Sequence, residues 1–100
     1  MKTMRKAYVI AQLTIQDPSA FAVYSDRVER TVLDFEGRFL VRSGSALVLD
    51  GEPLGPFNVV VEFPSLARAQ AWYESDAYQA ILPDRLNHSM GPVVLVEAYS

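Results

Sequence analysis

The sequence has 100 residues, of which half are hydrophobic and 21% are charged, a composition that indicates one globular domain over residues 1–100. Its formal net charge of −3 argues against nucleic acid or an anionic membrane as a partner, and no stretch has the length of a membrane span. The absence of cysteine excludes disulfides and a thiolate nucleophile, and one histidine cannot build a multi-histidine metal site, so we expect a cytoplasmic protein without a metal or cofactor.

The first third of the chain has the pattern of a strand followed by an amphipathic helix. Residues 6–16 are rich in β-branched and apolar residues, which predicts a strand. Asp17 is placed to cap a helix, Pro18 to begin it and Gly37 to end it. Between them, apolar residues recur at steps of three and four and predict the buried face of that helix: Phe21, Tyr24, Val28, Val32 and Phe35.

The rest of the chain predicts a hairpin, helical segments and a last strand. Residues 38–49 and 57–63 are predicted strands, joined by a turn over 50–56 that is rich in glycine and proline. Ser65 is placed to cap a second helix, which breaks at Ser75 and is followed by a short helix bent or ended near Pro83. Residues 93–99 complete the order β-α-β-β-α-β. This order predicts an α+β, ferredoxin-like fold with a four-stranded antiparallel sheet and both helices on one face.

The strands carry apolar residues on both faces of the predicted sheet. By strict alternation, the face turned away from the helices has four large apolar residues and four polar ones: Tyr8, Ile10, Leu40 and Val60, with Gln12, Arg42, Asn58 and Glu62. A face that meets water carries less apolar surface than this. We therefore predict that it packs against a second copy of the chain in a homodimer.

Alternation also places Arg42 and Glu62 opposite each other on that mixed face. One interpretation is functional, with Arg42 binding a carboxylate or enolate and Glu62 acting as acid or base. The other is an ion pair that sets the register of the dimer. Under either interpretation, the two side chains are predicted to lie within hydrogen-bond reach of each other or of the same third group.

Other polar-tipped side chains follow the predicted helices. Tyr24, Trp72, Tyr73 and Tyr78 either line a pocket between helices and sheet or form part of the core. Arg85 and His88 are predicted to follow the short helix in a loop. There, Arg85 either binds an anion or caps the helix, and His88 is a general base, a haem ligand or a solvated side chain. The predicted ligand-binding residues are thus Tyr24, Arg42, Tyr73 and Arg85, and the catalytic candidates are Arg42, Glu62 and His88.

Several segments resemble the domain-of-unknown-function family 1330. The resemblance covers nearly the whole chain and is most specific at residues 62–65 (Glu-Phe-Pro-Ser) and 72–75 (Trp-Tyr-Glu-Ser). Family members usually have glycine where this chain has Ser43, so a role for that glycine does not carry over. The family resembles the dimeric α/β barrel proteins, in which two ferredoxin-like units pack sheet on sheet. That group includes small monooxygenases, isomerases, haem proteins and ligand sensors.

Three functional hypotheses follow. The first, which the resemblance favours, is a cofactor-independent enzyme that acts on a small carbonyl or phenolic compound. The second is a ligand-binding or sensing module without chemistry, and the third is a structural homodimer. A pocket near Tyr24, Arg42 and Tyr73 distinguishes the first two hypotheses from the third.

Overall fold

The computed structural model describes residues 5–100, so the first four residues of the predicted domain lie outside the described residues. Five strands and three helices are described. In chain order they are β1 (Ala7–Ile15), α1 (Pro18–Leu33), β2 (Arg38–Ser43), β3 (Phe57–Phe63), α2 (Leu66–Glu74), α3 (Asp76–His88), β4 (Ser89–Met90) and β5 (Val93–Glu97).

The strands form one antiparallel sheet in the order β2-β3-β1, with β4 and β5 both paired to the free edge of β1. β5 pairs with Ala7–Ala11, and β4 pairs with Thr14 and Ile15, so the two act as one last strand interrupted at Gly91. This arrangement confirms the predicted ferredoxin-like fold. The fourth predicted strand is longer than expected and has a break in it.

The helices begin where their capping residues are placed. Asp17 accepts a hydrogen bond from the Ala20 amide, and Ser65 accepts one from the Arg68 amide. Ser75 ends α2 and caps α3 through the Tyr78 amide. The predicted break at this residue is therefore confirmed.

The helix after Ser75 is longer than the sequence pattern predicts. α3 continues through Pro83 to His88, so Arg85 and His88 lie on the helix and not in a loop. Proline removes one backbone donor without ending a helix whose face is buried by tertiary contacts, and Ile81, Leu82 and Arg85 are buried here.

The end of α1 depends on Gly37 for a reason other than the predicted one. The left-handed residue is Glu36, with φ of 65°, whereas Gly37 has no positive φ. A Cβ on Gly37 would lie 2.6 Å from Cε1 of Phe63 and 2.8 Å from Cγ1 of Val32. Glycine is needed there because the loop passes directly against the core.

Strand β2 ends at Ser43, well before the predicted end, and contains a β-bulge at Leu40. Phe39 pairs with Val61, but Val41 pairs with Val60 and Arg42 with Val59. The bulge inserts one residue and reverses the alternation after it. The predicted face of Arg42 is therefore wrong: its side chain lies on the helix side of the sheet.

The three helices cover one face of the sheet, which we call the inner face, and leave the other, the outer face, uncovered. The core lies under the helices, between alternate residues of β1 and the apolar side of α1. The described part of the protein is flat, with principal extents of 46 × 36 × 16 Å. Within residues 5–100, no helix has the length and apolar character needed to cross a membrane.

Candidate functional site

A small cavity lies between the helices and the inner face of the sheet. Its walls are apolar side chains of β1, β3 and α1, and its polar groups are Tyr24, Arg42, Tyr78 and Arg85. The space open to the centre of a water molecule is about 40 Å³, which is room for about three waters. A ring-sized ligand therefore enters only if the cavity widens.

Tyr24, Tyr78 and Arg85 form a buried hydrogen-bonded chain at this cavity. The two phenol oxygens are 2.9 Å apart, and Nε of Arg85 donates to the Tyr78 oxygen over 3.3 Å. The chain spans two elements, with Tyr24 on α1 and the other two residues two helical turns apart on α3. Each phenol has one hydroxyl hydrogen, and one of these two hydrogens is used in the bond between the phenols. The other phenol hydrogen has no acceptor among the described residues, because Arg85 can only donate.

Arg42 reaches the cavity from β2, on the side opposite to α3. Its Nη2 donates to the backbone oxygen of Ser25 at 2.6 Å and to the Ser25 hydroxyl at 2.7 Å. Its guanidinium also lies 4.7 Å from the centre of the Phe39 ring. The bulge at Leu40 directs both Phe39 and Arg42 inward, although they are three residues apart.

Each polar group of the cavity can donate a hydrogen bond, and none of them is an anion. Within residues 5–100, no carboxylate lies within 4.0 Å of Arg42 or Arg85, and the residues that line the cavity include no aspartate, glutamate or histidine. Burial, and then the neighbouring Tyr78, raise the pKa of Tyr24, so the phenol stays protonated at neutral pH. This arrangement is suited to an oxyanion and lacks a group to accept a proton.

Glu62 does not pair with Arg42, and the predicted contact between them is wrong. Glu62 lies on the outer face, where it accepts hydrogen bonds from Nε of Arg38 at 3.0 Å and from the Tyr8 hydroxyl at 3.3 Å. Nζ of Lys6 is 3.6 Å away. Partial burial opposes ionisation of Glu62, but the Arg38 hydrogen bond and the nearby positive charges outweigh it and lower the pKa of the carboxyl.

Tyr73 and His88 lie outside the cavity. The Tyr73 ring packs 5.4 Å from the Tyr78 ring and borders an open groove between α2 and β5. His88 is half-buried at the end of α3, where its backbone oxygen accepts from the Gln16 amide. Of the four predicted ligand-binding residues, the structure thus brings Tyr24, Arg42 and Arg85 together. In the described part of the chain, no cluster of three or more acidic or histidine side chains could hold a metal ion.

Tyr78 and Trp72 were predicted to be either pocket or core residues and were left out of the predicted ligand-binding set, and Ser25 was not predicted to contribute at all. Tyr78 lies seven residues before Arg85, a spacing that shares a helix face, but the expected break near Pro83 put Arg85 in a loop and so separated the two residues when the site was predicted. Trp72 stacks on Tyr78 with ring centres 4.2 Å apart and donates to the Thr31 hydroxyl, so it is a wall of the cavity and part of the core. Ser25 accepts from Arg42 through both its backbone oxygen and its hydroxyl, and no pattern in the sequence indicated that contact.

Comparisons with solved structures show what this fold resembles. A protein of unknown function from Rhodopseudomonas palustris superposes with a TM-score of 0.75 at 13% identity, over 96% of this chain and 84% of the other. SnoaB, a cofactor-independent oxygenase from Streptomyces nogalater, superposes with a TM-score of 0.69 at 9% identity, over 96% and 95%. A Caulobacter crescentus protein assigned as an antibiotic biosynthesis monooxygenase gives 0.66 at 15% identity, over 98% and 92%.

Sequence comparison identifies the family. No curated protein matches the chain at a significant level. A family described only as a domain of unknown function, number 1330, matches residues 6–99. The chain therefore belongs to the domain-of-unknown-function family 1330, and its fold is that of the dimeric α/β barrel proteins.

Proposed function

We propose that the protein binds a small carbonyl or phenolic compound between the helices and the inner face, with an oxygen of that compound held as an anion. The observation that carries this proposal is the polar lining of the cavity, in which every polar group can donate a hydrogen bond and none is a carboxylate or an imidazole. Arg42, Arg85 and one phenol hydrogen of the Tyr24–Tyr78 pair lack an anionic partner among the described residues. Because no carboxylate neutralises either arginine, an anionic guest suits the site better than a neutral one.

The activity we propose is cofactor-independent chemistry that passes through the enolate or phenolate of this compound. Fixed donors in apolar surroundings stabilise an oxyanion as its charge develops. The lining supplies no carboxylate or imidazole, so the proton of the substrate leaves to solvent and suitable substrates are those that ionise readily. The similarity of fold to SnoaB, a cofactor-independent oxygenase, supports this class of chemistry.

The homodimer is part of the same proposal. On the outer face, Ile10, Val94 and Val96 are 38%, 49% and 44% exposed, and Leu40 and Val41 are exposed beside them. These residues make one apolar surface on a flat molecule. We propose that a second copy covers it, with a buried area above the roughly 1,000 Å² of a biological contact.

The ligand proposal is tested with 4-nitrophenol, whose phenolate form absorbs visible light. We expect binding to lower the apparent pKa of 4-nitrophenol, because the cavity favours its anionic form. We also expect the melting temperature of the protein to rise, because a ligand that binds only the folded state stabilises it. Arg42→Met and Tyr24→Phe should weaken both effects. Arg27→Met, which removes an exposed arginine of α1, should leave them unchanged. Equal effects in all three variants would contradict the proposal.

A second candidate function is a ligand-binding or sensing module without catalysis. The lack of a proton acceptor in the cavity lining favours it. The two candidates separate when a compound that raises the melting temperature is incubated with the protein in air and followed by mass spectrometry. Conversion that requires Arg42 and Arg85 supports the enzyme, and tight binding without conversion supports the module.

A further inference from the structure

The connection between β2 and β3, which we call the arm (residues 44–56), carries apolar side chains that nothing within residues 5–100 covers. Leu47 and Leu49 are 85% and 83% exposed, and residues 45–54 are all exposed. The arm is anchored on the outer-face side of the sheet, where the Leu54 amide donates to the Gln12 side chain at 2.9 Å. Together with Gln12 and Asn58 it borders an open groove of about 680 Å³.

The charged residues of the arm are both acidic. Asp50 and Glu52 border this groove, neither makes an ion pair within the described residues, and no lysine or arginine occurs between residues 44 and 56. The opposite end of the outer face is basic. Lys6 and Arg38 lie there, with 56% and 66% of their side chains exposed, and they share the one carboxylate of Glu62.

These two ends lie on either side of a short apolar centre. The outer-face pair Tyr8–Glu62 marks the basic end, and the pair Gln12–Asn58 marks the arm end. Ile10, which pairs with Val60 and Val94, lies midway between them. Consider two copies whose outer faces meet, related by a two-fold axis that lies between the two sheets, perpendicular to the strands and near Ile10. This axis places the arm end of one copy over the basic end of the other.

We propose that the occupant of the arm groove is a second copy of this chain. Each arm then packs against the basic end of the outer face of the other copy. Asp50 and Glu52 then face Lys6 and Arg38 of the other copy, and Leu47 and Leu49 cover Tyr8 and Val96. A two-fold axis parallel to the strands would instead bring like charges together at both ends, which is unfavourable. This inference rests on the proposed homodimer and adds its orientation and its specificity.

The test uses two charge-reversed chains. The arm variant carries Asp50→Lys and Glu52→Lys, and the face variant carries Lys6→Glu and Arg38→Glu. Each alone should dimerise at least about tenfold more weakly than the parent in light scattering at low salt, because like charges then meet at both ends. Mixed in equal amounts, they should form a mixed dimer of parental affinity, because each arm then faces a surface of opposite charge.

Matched controls place the same charge changes on the exposed side of α1. Asp26→Lys with Glu29→Lys, and Arg27→Glu with Arg30→Glu, should dimerise like the parent. Melting temperatures confirm that each variant is folded. A dimer indifferent to both reversals, or reversed chains that fail to pair when mixed, overturns the arm contact and leaves the homodimer standing. A monomeric parent overturns both, whereas the ligand proposal is judged separately by the nitrophenol titration.

Discussion

Arg85 is a buried guanidinium held by a phenol oxygen and by no carboxylate within the described residues. A buried charge without an opposite charge is costly, and proteins retain such groups chiefly where a ligand or a reaction needs them. The sequence left two roles open for Arg85, an anion site and a helix cap, because both suit an arginine that follows a short helix. The packing of α3 against α1 places the Arg85 side chain in the cavity beside Tyr78.

We expect Arg85→Met to be at least as stable as the parent, because a methionine of similar volume removes an uncompensated charge from the interior. The same variant should lose the 4-nitrophenol response. Chemical unfolding and the phenolate titration measure the two properties on one preparation. A variant that is several kcal/mol less stable would show that Arg85 serves the fold instead.

The contacts of Glu62 with Arg38, Lys6 and Tyr8 should make the protein more stable at neutral pH than in acid. Glu62 has a lower pKa in the folded protein than in the unfolded chain, so it contributes stability above its unfolded pKa of about 4.3 and loses that contribution as the pH falls through the folded value. Glu62→Gln should therefore be less stable than the parent at pH 7, and the difference should shrink below about pH 4. Urea unfolding midpoints across this range test it, with Glu29→Gln, on the exposed side of α1, as the control.

At the scale of elements, the sequence predicted the order and type of every long element and erred where tertiary contacts decide. Caps at Asp17, Ser65 and Ser75 are local, so their residue types sufficed. The bulge at Leu40 leaves no local signature, because alternation predicts faces only while pairing is regular. That one residue explains why Arg42 was assigned to the wrong face and paired with the wrong partner.

Ser75 joins two helices through one side chain. Its hydroxyl accepts from the Tyr78 amide and donates to the Trp72 carbonyl at 2.7 Å. Ser75→Ala should therefore cost about 1 kcal/mol or more, which lowers the melting temperature by roughly 4–8 °C in a domain of this size. Ser19→Ala, in the exposed first turn of α1, is the control. Equal melting temperatures for the two variants would contradict the role of the cap.

At the scale of the whole molecule, the flat shape leaves one sheet face without a second layer. Half-hydrophobic composition could not reveal this by itself, but apolar residues on both strand faces did. The sequence did not predict the arm, because residues 44–49 have the composition of a strand and were assigned to one. In the structure, strand pairing ends at Ser43, and the residues that follow belong to the connection.

If two copies share the outer face, unfolding should depend on protein concentration, because dissociation accompanies it. We expect the melting temperature to rise as the protein is concentrated, and Ile10→Glu to abolish this dependence by placing a charge at the centre of the face. Val23→Glu introduces the same charge at an exposed position of α1. Its melting temperature should keep the parental dependence on concentration.

The bulge at Leu40 gives β2 one residue more than its pairing requires. Deleting Leu40 would let Val41 follow Phe39 in regular register, still opposite Val60, and Arg42 would still point inward opposite Val59. Deleting Val60 from β3, which pairs regularly with β1, would reverse the faces of every residue on one side of the gap. In an alignment of related chains, a gap at residue 40 is thus compatible with an intact site, whereas a gap in β3 signals its loss.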